Sequence, residues 1–165
     1  MVASAFRSSG YCMTPEMTFE YLPERECQCL EDAFNDSSLI FARRVDKTKT
    51  PKDRHFRGKH ERAEPRLPDP SVTDCEQVCG YYGISVDVWN ETSQEQIWER
   101  HQRILDISPK YKNNLLIFKF GERAGKVKHT PVRGVEPNLH HHDFYKCDTF
   151  DVEQDIIEVE MRPIK

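Results

Sequence analysis

Two stretches of the chain concentrate side chains able to do chemistry. The first runs from Lys128-His129-Thr-Pro to Asn138-Leu-His140-His141-His142-Asp143. In an extended segment His140 and His142 point the same way, as two imidazoles sharing one metal ion must. His129, Cys75, Cys79 or Cys147 could complete a tetrahedral zinc site, and the candidate ligands are His140, His142, Cys75 and Cys79. Two spacings oppose a zinc knuckle. Cys75-x-x-x-Cys79 is one residue too long, and Cys27-x-Cys29 would turn its thiols apart in a strand. A polar loop with exposed imidazoles is the plain alternative. The order His129, Asn138, His142 does not match a ββα-metal nuclease, because no Asp precedes His129 and no helical pattern follows Asn138.

The second stretch is Asp53-Arg-His-Phe-Arg-Gly-Lys-His-Glu-Arg62. Arg54, Arg57, Lys59 and Arg62 offer forked and point charges for an anion, with Phe56 interleaved. His55 and His60, with His129 and Glu61, are candidates for acid–base work on a phosphodiester. A charge run is also a common solvated face. His101, on the apolar side of a helical pattern, reads as a core histidine bonded to backbone or to a carboxylate. Asp87 and Ser85 lie on the less apolar face of a strand pattern, where either solvent or an active site would accept them.

The 165 residues suffice for one domain with a usable core. They are 37% hydrophobic and 32% charged, with mean hydropathy −0.76 and net charge −4. Charge is unevenly spread. Seven basic residues meet two acids between Lys47 and Arg62, while 148–160 holds six acids and no Lys or Arg. Those acids could neutralise the basic loop within the fold, and the pI near 6.0 argues against a DNA-coating protein. Met1–Gly10 lacks an apolar signal core and no apolar run reaches membrane-spanning length. The expectation is therefore a cytoplasmic protein, not a membrane one, with its six cysteines reduced. Phosphate-loop, dinucleotide, serine-elbow and zincin signatures are all missing from the sequence.

The elements that must position these residues follow from periodicity. Tyr82 to Val88 alternates strictly and reads as a strand with a cysteine pair at its entrance. Pro23 to Phe34 reads as a short helix, Leu39 to Val45 as a strand, and 46–74 as a long basic, proline-containing loop. Thr92 to Leu105 is an amphipathic helix opened by a Thr92–Glu95 capping box. Leu115 to Phe120 is apolar on both faces, an interior strand turning at Gly121–Gly125 into a hairpin partner. Phe144 to Phe150 and Asp155 to Arg162 supply further strands. The sum is an α+β domain over 19–165 behind a flexible lead, 1–18. It has one mostly antiparallel sheet of about five strands with two helices on one face.

The functional expectation is a binding or accessory domain whose two His-bearing loops form a single polar site. The partner would be anionic: a nucleotide, a nucleic acid or a protein. The alternative is a phosphodiester- or nucleotide-directed hydrolase, working with or without zinc.

Overall fold

A computed structural model describes residues 16–23, 27–62, 74–105 and 111–164. Its centre is one six-stranded antiparallel sheet, in the order β4-β5-β2-β1-β3-β6. The strands are β1 (Ile40–Val45), β2 (Ile84–Val88), β3 (Asn114–Phe120), β4 (Gly125–His129), β5 (His141–Lys146) and β6 (Ile156–Pro163). The α+β class holds, with one strand more than expected. The lead at 1–15 lies outside the described residues.

The sheet is curled. β3 and β4 are joined by four residues, which reach about 17 Å even when extended. Four strand spacings in a flat sheet measure about 19 Å. The hairpin expected here therefore does not form: β3 sits between β1 and β6, and β4 pairs with β5 at the far edge. On the concave side Phe120 of β3 and Phe144 of β5 stack with centroids 3.9 Å apart, although two strands lie between them. Phe41, Phe56, Ile84, Val86, Leu116, Phe118 and Val127 complete this core. Burying a Phe, Ile or Leu side chain contributes about 1.5–3 kcal/mol, so this cluster is the main stabilising term.

The convex side carries both longer helices. α2 (Gln94–Leu105) lays Ile97, Trp98 and Leu105 on Ala42, Leu115 and Ile117. Its start differs from the expected capping box. Asn90 Oδ1 accepts the Thr92 and Ser93 backbone N–H groups at 2.9 and 3.0 Å, and also the Thr92 hydroxyl. A short side chain before the turn satisfies those donors sooner than Glu95 can.

α1 (Cys75–Tyr82) forms from the cysteine-bearing entrance to the expected strand and takes Tyr82 from it. Asp74 caps it by accepting from Glu76 N at 3.0 Å, and β2 keeps the expected alternation only from Ile84. Two disulfides, Cys27–Cys75 and Cys29–Cys79, bind α1 to the chain before β1. This overturns the expectation of reduced thiols. It also corrects the assignment of Cys75 and Cys79 as metal ligands, since a sulfur in a disulfide is not a thiolate donor. The expected Pro23–Phe34 helix is not seen in its described part. Residues 27–34 turn, and Phe34 pairs instead with Val127 of β4.

β6 also departs from its simple alternation. The register breaks between Ile117 and Lys119, and Glu158 adopts φ 51°. Such a bulge shifts which side chains face the core. Ile156 is buried, while Ile157 and Val159 are exposed. No helix among the described residues is long and apolar enough to cross a membrane.

Candidate functional site

The two chemically rich stretches lie at opposite ends of β5. His141 and His142 open the strand, and Lys146 closes it. Four residues of antiparallel strand separate His142 from Lys146 by about 14 Å. The basic loop is fixed at the Lys146 end: Lys146 Nζ bonds the Phe56 carbonyl at 3.1 Å and pairs with Glu61 at 2.6 Å. The basic loop is therefore anchored about one strand length from His142, although its Lys59 comes near Asp143 of the histidine-bearing stretch.

At the basic end, the described part of the loop is a pair of short turns at Asp53–Phe56 and Lys59–Glu61. Phe56 drives the first into the concave core. His60 stacks on Tyr21 with centroids 5.1 Å apart and planes 3° from parallel, and it also meets Tyr82. Burial holds the His60 imidazole below its ordinary pKa, against the opposing charge of Glu61. His55 is buried, with Nε2 2.7 Å from Asp46 Oδ1, and burial likewise lowers it.

The expected anion-binding residues divide here. Arg54 pairs with Asp46 at 2.7 Å and Arg57 with Asp53 at 3.0 Å. Lys59 lies near Asp143, which burial pushes above the usual carboxylate range despite the charges of His141, Lys59 and Lys128. Arg62 stands apart from these pairs, in a cluster that sequence reading missed. β1 contributes Arg43 and Arg44, and Lys112 precedes Asn114, which lies opposite Val45 in the β1–β3 register. Burial and then the charges of Arg62, Arg43 and Arg44 depress the Lys112 ammonium, with only Asp46 opposing. Burial and then Arg62 push the Arg43 guanidinium down to about 10. Burial and then Arg100 of α2 lower Arg44. Arg43 also ties the loop to the sheet, because its Nε donates to the His55 carbonyl at 2.6 Å and its Nη1 donates to the Ser85 carbonyl. The Nε of Arg100 is buried without a hydrogen-bond partner. A usable signal was present in Arg43, a charge on the apolar face of a strand.

At the histidine end, His129 of β4 lies directly opposite His142 of β5, with ring centroids 4.8 Å apart. His140 turns away, its Nε2 2.9 Å from Gln96 Oε1. His141 Nδ1 approaches the Thr130 carbonyl at 2.8 Å. A cleft of about 260 Å³ between α2 and 137–140 is floored by Asn138. Beneath it is a buried polar row. Asn138 Nδ2 donates to Asp87 Oδ1 at 2.7 Å, and His101 Nε2 lies 3.3 Å from Asp87 Oδ2. Burial alone would raise Asp87, but His101 and Asn138 overcome it and hold the carboxyl low. His101 is thus the carboxylate-bonded core histidine that its helix position implied.

The catalytic candidates do not converge, since His55 and His60 sit at the basic end and His129 at the other. Among the described residues, no group of three or more His, Cys, Asp or Glu side chains is placed to hold a metal ion. Cys147, an expected reserve ligand, is buried at the Lys146 end and donates to the Arg123 carbonyl at 3.0 Å. Compared with protein-family models, curated proteins and solved structures, the chain matches none.

Proposed function

We propose that this is a disulfide-stapled binding domain that takes an anionic group of its partner at the end of β1, between Arg62, Lys112, Arg44 and Arg100. The observation that carries the reading is the gathering of cations about Lys112: burial and then the charges of Arg62, Arg43 and Arg44 depress its ammonium, and one carboxylate opposes them there. That carboxylate, Asp46, is already bonded by Arg54 and His55. Like charges held together in a partly buried setting oppose folding, and an anion that neutralises them converts the opposition into affinity. Two disulfides support an oxidising compartment in place of the cytoplasm first expected. This in turn favours an acidic protein segment over a nucleotide or nucleic acid as the partner. The dispersal of His55, His60 and His129 leaves the hydrolase alternative without a constellation to work through.

Thermal melting at low salt tests the reading with inorganic pyrophosphate as the probe. Pyrophosphate should raise the melting temperature of the wild type, and Arg62→Ala or Lys112→Ala should remove most of that rise. An equal rise in both variants, or none in the wild type at millimolar pyrophosphate, would contradict the proposal.

A further inference from the structure

The histidine pair at the other end of the sheet has a geometry that its structural role does not require. His129 and His142 are register partners on β4 and β5 and share the concave side with Val127 and Phe144. Each ring has one nitrogen held by a backbone carbonyl: His129 Nε2 by Leu139 O at 2.8 Å, and His142 Nδ1 by His140 O at 2.9 Å. A carbonyl only accepts, so both of those nitrogens carry the proton. The tautomers are thereby fixed, and His129 Nδ1 and His142 Nε2 are left with lone pairs. Pinning one imidazole nitrogen to a carbonyl is how proteins orient histidine ligands.

The spacing agrees. Two imidazoles at about 2.0–2.1 Å from one zinc, at the tetrahedral angle, place their ring centroids about 5 Å apart. The observed separation is 4.8 Å, with the planes 35° apart. His142 is buried against the edges of Phe34 and Phe41, which fix its ring, while His129 is exposed and leaves a path for an ion.

We propose that His129 and His142 form a two-histidine site for a borderline divalent ion, zinc or copper(II), with solvent completing the coordination. Cations of this class take imidazole ligands, whereas magnesium and calcium take oxygen. The pair differs from His140 with His142, the combination that alternation suggests. His140 turns to Gln96 and gives the site only its backbone carbonyl.

Zinc chloride titrated into the untagged protein, followed by histidine ring signals in NMR and by thermal melting, provides the test. Zinc should shift the His129 and His142 ring signals together and raise the melting temperature saturably, while magnesium should do neither. His129→Ala, an exposed substitution at a strand end, should weaken zinc binding at least tenfold, and His140→Ala should leave it within twofold. Unchanged zinc binding in His129→Ala would overturn the proposal. So would loss of binding confined to His140→Ala, or His142 ring signals that do not move at millimolar zinc.

Discussion

The two ends of the curled sheet solve the same problem, holding polar side chains in place, by different means. At the histidine end the order comes from the sheet itself. His129 and His142 are adjacent because β4 and β5 pair in that register, and Asp87 is satisfied by a neighbouring helix and loop. At the basic end the positioning chain is irregular and is tied down by disulfides and by side chains reaching to it from β1 and β5. Two disulfides hold α1, α1 and Tyr21 hold His60, and Lys146 holds Glu61 and Phe56. The difference shows where a fold can place like charges side by side. At one end strand register alone sets polar side chains side by side, whereas at the other β1 supplies Arg43 and Arg44 and an irregular loop brings Arg62 to them.

Breaking the anchor should have the largest effect. Each disulfide closes a loop of about 50 residues (separations of 48 and 50), but the two share almost the same loop. Removing both by Cys27→Ser with Cys29→Ser should cost about 6 kcal/mol of loop-closure stabilisation, while removing either one, which leaves the other to close nearly the same loop, should cost only about 2 kcal/mol. Denaturant unfolding of the single and double variants measures this, and additive costs would contradict the shared-loop explanation. Next in size is the histidine end's buried network. Asp87→Ala strands His101 and Asn138 in a buried setting and should cost about 3 kcal/mol. Arg54→Ala, which breaks the half-exposed pair with Asp46, should stay within about 1 kcal/mol.

A smaller effect separates the ends by pH. His142, His55 and His60 all have folded-state pKa values below the ordinary histidine value. As pH falls below about 6.5 the unfolded chain takes up protons that the folded chain refuses, so stability falls with acidification. Melting temperature should therefore drop between pH 7.5 and 5.5. His142→Gln should flatten part of that drop and leave the contribution of the basic end intact. An unchanged slope would remove His142 from the explanation.

Much of the sheet was legible because alternation is local. Ile84–Val88, the apolar run of β3 and the stripe of α2 all behave as their periods imply. The curl was not legible, since pairing β4 with β5 and not with β3 is decided by side chains distant in sequence. The cysteines were misread for a physical reason. Cys75 and Cys79, too far apart for a zinc knuckle, are at the four-residue spacing that puts two side chains on one helix face. That face meets Cys27 and Cys29. Asp74 and Glu76 signalled the helix start, but the alternation from Tyr82 masked it. Of the candidate site, Arg62 and the pairing of His129 with His142 lay within the stretches singled out. Arg44, Arg100 and Lys112 did not, because only the β1–β3 register and the docking of α2 bring them to one place.

The most direct test of the proposed anion site is calorimetric. Inorganic pyrophosphate binding would be measured at two salt concentrations in the wild type, Arg62→Ala, Lys112→Ala and Arg57→Ala. Binding should weaken as salt rises, fall at least tenfold in the first two variants, and stay within twofold in Arg57→Ala, whose side chain is already paired with Asp53. Equal losses in all three variants would mean that general basicity, and not the cluster at the end of β1, attracts the anion.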